Sequence, residues 1–254
     1  MAMEPILAMT AAEMRNISDF PPRIAWMACH FSPYGLGLSN LPQRLSPGSL
    51  LILDDCTPPC RHDPGLVTEQ LTLCAEKLEC CGILLDFQRA GQEETQVLAK
   101  HLASALPCPV AVSECYGKEL DCPVFLPPVP PSKGLEAYIH PWKNREVWLE
   151  LGTEGEILTL TEQGCTVTPL PYPDWERIGL EEETLHCHYT IETNEKAARF
   201  TLWRTWEDTK KLLQTAENLG IHTAVGLYQQ WYRECENRPA FQQGGLEHKS
   251  RGIY

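Results

Sequence analysis

Asp86 and Gln88 close the apolar run Gly82-Ile83-Leu84-Leu85. Side chains alternate along a strand, so Leu84, Asp86 and Gln88 share one face. A carboxylate at such a place can hold a polar group or exchange a proton. The amide two residues on can donate and accept hydrogen bonds but cannot act as a general acid. Two further acids end apolar runs: Asp54 follows Leu50–Leu53, and Glu114 follows Pro109–Ser113. If these strands are neighbours, Asp54, Asp86 and Glu114 converge on one pocket as candidate catalytic groups. Two carboxyls about 5–9 Å apart support glycoside chemistry of either stereochemical course. The bland alternative is that strand-end acids face solvent, cap helices or make structural hydrogen bonds, and this is the expected role of Asp55.

Other chemistries have less support. Cys56-x3-Cys60, followed by Arg61 and His62, is half of a metal motif without a second pair. His186 and His188 share a strand face with no third ligand, whereas structural zinc takes four ligands. No metal and no cofactor is therefore expected. The chain contains neither a G-x-S-x-G elbow nor a phosphate-binding loop, and Cys115 lacks a sequence-visible histidine partner. Among the aromatic residues, Tyr116, Tyr228 and Trp231 sit near strand ends, where a ring can stack on a ligand. With Gln88 they form the candidate binding set.

The elements that must position these groups can be read from periodicity. Ile24–Cys29, Leu50–Leu53, Gly82–Phe87, Pro109–Ser113 and Val124–Leu126 are apolar runs of strand length. Amphipathic helices flank the third of them, over Val67–Glu79 and Glu93–Leu106. Ser32–Ser49 is loop. Glu146–Leu151, Ile157–Leu160 and Cys165–Leu170 suggest a small antiparallel element, and Leu185–Ile191 with Ala198–Trp203 a hairpin about Asn194. Thr205 opens a helix to Asn218 with a capping-box pattern, Gly220 ends it, and Ala224–Tyr228 is a last strand. A strand between two helices that ends in a carboxylate fits a (β/α)8 barrel, whose site lies at the strands' C-terminal ends. The fold expected is α/β: a TIM barrel, incomplete because too few residues precede Leu50, with an inserted antiparallel β-hairpin element. Residues 1–233 form one barrel domain and 234–254 a polar, mobile tail.

Composition narrows the partners. The 254 residues carry a formal charge of −13, against a nucleic-acid binder or an anionic membrane surface. No apolar run approaches the ~18 residues of a membrane span. Acidic residues interrupt residues 1–23, so no export signal is read there. The twelve cysteines fall mostly within apolar periodic segments, which suggests reduced thiols and a cytoplasmic protein.

The run Cys81-Gly82-Ile83-Leu84-Leu85-Asp86-Phe87-Gln88 resembles the D-G-x-D-x-D-x-E strand of family-18 glycoside hydrolases, the chitinase-like barrels. Gly82 and Asp86 match. Cys81 and Leu84 replace the first two aspartates, and Gln88 stands at the catalytic glutamate. Leu202–Thr205, the helix through Lys211 and Leu212, Leu219–Ile221 and Gly226–Trp231 are similar to the last βα unit of spore-germination-type members. The resemblance implies that Asp86 would hold a substrate's acetamido group and that the proton donor is missing. The expectation is a glycosidase-like barrel that binds an oligosaccharide or small polar ligand with little or no hydrolysis. An active glycoside hydrolase using Asp54, Asp86 or Glu114 is one alternative, and a non-catalytic protein-interaction scaffold is another. The oligomeric state is left open.

Overall fold

The computed structural model describes residues 3–17, 21–57, 62–152, 155–170, 173 and 177–230. Its chain order begins β1 (Ile6–Met9), α1 (Ala11–Asn16), β2 (Ile24–Phe31), β3 (Leu38–Ser39), β4 (Leu50–Asp54), α2 (Pro64–Lys77), β5 (Gly82–Asp86) and α3 (Glu93–Ala105). There follow β6 (Val110–Ser113), α4 (Glu114–Gly117), β7 (Val124–Leu126), α5 (Leu135–Ile139), a 3-10 turn (His140–Trp142) and β8 (Val147–Leu151). The remainder is β9 (Gly155–Thr161), β10 (Gly164–Leu170), β11 (Leu180–Glu182), β12 (Cys187–Thr193), β13 (Ala197–Trp203), α6 (Trp206–Asn218) and β14 (Thr223–Leu227).

Eight parallel strands close in the order β1-β2-β4-β5-β6-β7-β8-β14, and β14 pairs back onto β1. The chain is thus a TIM barrel, and the incomplete barrel expected from the sequence is corrected. The missing strand is β1, only four residues long, too short to show a period. The helical ring is the thin part: β3 and loop stand where a helix would follow β2. A second correction concerns β8. Residues 147–151 alternate like a free antiparallel strand, yet they lie in the barrel between β7 and β14.

Alternation sorts the barrel residues into two layers. Inward residues such as Leu50, Ile52, Leu84, Ala111, Phe125, Trp148 and Val225 fill the barrel. Leu51, Leu53, Ile83, Leu85 and Val112 point outward and pack under α2 and α3 with Val67, Leu71, Leu98 and Leu102. Val67 is the first buried residue of the α2 stripe. Near the bottom of the barrel the Trp148 indole reaches β5. A Cβ on Gly82 would meet Trp148 Cη2 at 2.9 Å and the Pro109 carbonyl at 3.0 Å. Glycine leaves the space that the indole occupies.

The expected hairpin is part of a five-stranded antiparallel sheet, β10-β9-β13-β12-β11, inserted between β8 and α6. Arg204 fixes it to the barrel. Its buried guanidinium donates to the carbonyls of His186 (3.1 Å), Leu185 (3.1 Å), Pro130 (3.2 Å) and Val129. The Pro127–Pro131 segment is thereby tied to the inserted sheet. Next to this seam, Thr205 and Asp208 form the α6 capping box, and His188 Nδ1 lies 2.8 Å from Asp208 Oδ2. Burial alone would raise the Asp208 carboxyl, but bonds from the Thr205 hydroxyl and amide and from His188 outweigh it and hold the group below its ordinary pKa.

Candidate functional site

The C-terminal ends of β2, β4, β5 and β6 bring one polar cluster together. Asp54 and Asp86 are register partners on β4 and β5, so both face the barrel interior. Asp86 Oδ1 accepts from the Gln88 side-chain amide and from Ser113 Oγ at 3.2 Å. Burial is the main influence on Asp86 and raises its pKa. The Gln88 and Ser113 bonds oppose that shift, while the charges of Asp54 and Asp55 add to it. Asp86 therefore keeps its proton to higher pH than an ordinary aspartate does.

Asp54 is held from the other side. His30 Nδ1 lies 3.1 Å from Asp54 Oδ2, and Asn40 Nδ2 lies 2.8 Å from His30 Nε2. An amide NH2 only donates, so Nε2 is the acceptor and the proton on Nδ1 goes to Asp54. The backbone amide of Cys56 donates to Asp54 Oδ1 at 2.9 Å. His30 reaches this place because β2 carries a bulge between Trp26 and Cys29, which sets His30 opposite Asp54 and turns Cys29 into the outer core.

Glu114 is the first residue of α4, exposed, one strand beyond Asp86. Its charge is felt at Tyr138, as is that of Glu150. Tyr138 donates its hydroxyl to the Pro127 carbonyl at 3.0 Å, and burial raises its pKa. Glu114, at the start of α4 after β6, and Glu150, near the end of β8, add further carboxylates at the C-terminal ends of the strands, beside the cluster of Asp54, Asp86 and Gln88. His30, Ser113, Tyr138 and Glu150 were not singled out from the sequence. Only Glu150 had a readable signal, as the polar member of an alternating strand.

Asp55 is 3% exposed and accepts the backbone amides of Gln88 (3.0 Å) and Arg89 (3.1 Å). Its role is structural, though buried rather than solvent-facing: it fixes the turn that carries Gln88. Tyr116 is corrected as a ligand platform. It is 4% exposed, meets Phe87 edge-on at 6.4 Å and donates to the Arg89 carbonyl, all within the outer core. Tyr228 directly follows β14 and is half-buried at the barrel's C-terminal end. Trp231, the tail over 234–254, Cys60 and Arg61 lie outside the described residues.

His62 stacks on Phe31 with ring centroids 4.7 Å apart. His186 precedes β12 with φ +50 and bonds Thr215, whereas His188 bonds Asp208, so the two rings do not form a chelating pair. Among the described residues no group of three or more His, Cys, Asp or Glu is arranged to hold a metal ion. Their ten cysteines are unpaired. No helix among them is long and apolar enough to cross a membrane.

No protein-family model matches the chain, and no curated protein matches it. Solved structures do. The spore cortex-lytic enzyme SleL of Bacillus cereus superposes with TM-score 0.55 at 11% identity, over 92% of this chain and 74% of its own. A chitinase from Chromobacterium violaceum gives 0.52 at 8% identity, over 88% and 93%. A family-18 chitinase from Cycas revoluta, solved in complex with (GlcNAc)4, gives 0.51 at 10% identity, over 89% and 94%. At these identities the likeness is one of fold: the chain adopts a TIM barrel like those of these chitinase-like structures.

Proposed function

We propose that the barrel mouth binds a glycan or another small polar ligand, with little or no chitinase-type hydrolysis. The observation that carries this reading is the Gln88 amide, bonded to Asp86 where a general acid would have to stand. Asp86, Asp54 and Gln88 offer acceptors and donors suited to hydroxyl and amide groups, with Tyr228 on the opposite part of the rim. The (GlcNAc)4 complex of a structural neighbour supports a glycan as the ligand class. Without general acid catalysis, typically worth about 10²–10⁴-fold, the leaving oxygen departs unprotonated. The unpaired cysteines support a reducing compartment, and we place the protein in the cytoplasm.

Calorimetric titration with an N-acetylglucosamine tetramer, run beside a product assay, tests the proposal. Saturable binding with negligible turnover is expected, and Asp86→Ala should abolish the binding. Absence of binding by this tetramer and by other neutral oligosaccharides would overturn a glycan as the ligand and favour the interaction-scaffold reading.

One observation favours a second reading, an active glycosidase of altered mechanism. Asp86 has a raised pKa, as an acid catalyst needs. Robust turnover that survives Gln88→Ala but disappears with Asp86→Asn or Glu114→Gln would establish it in place of the first.

A further inference from the structure

Barrel enzymes work at the C-terminal ends of their strands. This barrel also has a cavity of about 260 Å³ at the opposite end, reached from the N-terminal ends of β1, β2, β8 and β14. That is slightly below the ~300–1,000 Å³ of typical small-molecule sites. Its apolar wall comes from Ile6, Leu50 and Trp148. Its rim carries both signs of charge, Arg23 and Glu4 together with Glu146 and His222.

The rim charges are not joined in direct ion pairs: none among the described residues involves Glu4, Arg23, Glu146 or His222. Glu146 accepts the Trp148 indole N–H at 2.8 Å, a bond that holds the indole in the wall and leaves Glu146 Oε2 for another donor. A cation, an anion and an apolar surface thus meet around one opening of limited size. A ligand with only one charge would use one side of the rim and leave the other facing it unpaired.

We propose that this cavity is a binding site for a small zwitterion with an apolar body, such as a free amino acid or a short peptide. Arg23 takes the carboxylate, Glu4 and Glu146 take the ammonium group, and the side chain rests on Trp148 and Leu50. The site is separate from the mouth and does not depend on the function proposed for it.

The test is calorimetry and ligand-detected NMR on the full chain with L-phenylalanine, phenylacetate and phenethylamine. Saturable binding of L-phenylalanine is expected, with both single-charge analogues weaker by at least about tenfold. Arg23→Ala changes an exposed side chain, so the fold is kept, and it should weaken L-phenylalanine to the level of phenethylamine. An N-acetylglucosamine tetramer should not displace it. Lack of saturable binding, equal affinity for phenylacetate, unchanged affinity in Arg23→Ala, or displacement by the tetramer would each overturn the proposal.

Discussion

A single methyl group at Gly82 tests how the lower barrel is filled. Gly82 has no left-handed backbone requirement, so alanine fits its conformation. The new Cβ, however, would stand 2.9 Å from Trp148 Cη2, 3.0 Å from the Pro109 oxygen and 3.3 Å from Leu50 Cδ2. The Pro109 carbonyl is held by the Ile83 amide at 2.9 Å, and the indole is tied to Glu146, so neither yields freely. Overpacking of this kind costs about 1–3 kcal/mol. The lower entropy of the unfolded alanine chain returns about 0.4–1 kcal/mol. A net loss of about 1–2 kcal/mol should lower Tm by about 2–8 °C in a domain of this size. Urea and thermal unfolding of Gly82→Ala, Trp148→Phe and the double variant complete the cycle. Phenylalanine removes the atoms that reach β5, so the double variant should be more stable than the sum of the singles by about 1 kcal/mol. Strict additivity, or a Gly82→Ala protein as stable as wild type, would refute the claim that the indole occupies the Gly82 hollow.

Three further outcomes follow from the seam and the site. The raised pKa of Asp86 means that the folded state binds its proton more tightly than the unfolded chain, so its contribution falls as pH rises from the ordinary aspartate range through the raised value. Asp86→Asn should remove that part of the pH dependence and stabilise the protein at neutral pH, as read by Tm from pH 3 to 8. Asp208 has the opposite sign: its contribution is present above the ordinary aspartate pKa and is lost as pH falls through the depressed value. Thr205→Ala removes a capping bond, should cost about 1 kcal/mol at neutral pH, and should shrink that acid-limb loss. Arg204→Leu leaves four carbonyls without their donor and should cost about 1–3 kcal/mol for each that stays buried and unsatisfied. Arg204→Lys should recover little, because an ammonium lacks the guanidinium fork, and limited proteolysis should then cut between β8 and α6 first.

Long apolar runs made most of the barrel legible. β4, β5 and β6 are buried on both faces, and their strand-end acids Asp54 and Asp86 do share the interior. Short or ambiguous segments were not legible. β1 has too few residues to show a period, and the polar–apolar alternation of β8 comes from an interior that is itself polar near the mouth. His30 could not be found by counting, because the β2 bulge reverses the parity on which counting depends. Tyr116 failed for a related reason: α4 begins immediately after Ser113, and a helical turn carries the ring around to the outer core. Of the five strands of the insertion, β9, β10, β12 and β13 fall on segments read as strands from the sequence, and only β11, three residues long, was missed.

The pairing of β1 with β14 joins Ile6 to Val225 and gives synthesis of this chain a fixed order of events. β1 leaves the ribosome before the other barrel strands, yet one of its edges must wait for nearly all the remaining barrel residues. The inserted sheet draws its partners from a much shorter stretch of chain and can form while that edge is still open. Barrel closure is thus the late, high-contact-order step. Until it occurs, β1 and β8 present unpaired backbone to other nascent chains. A chaperone that covers strand edges would act on this protein during that interval, and a slower codon sequence before β14 would prolong it.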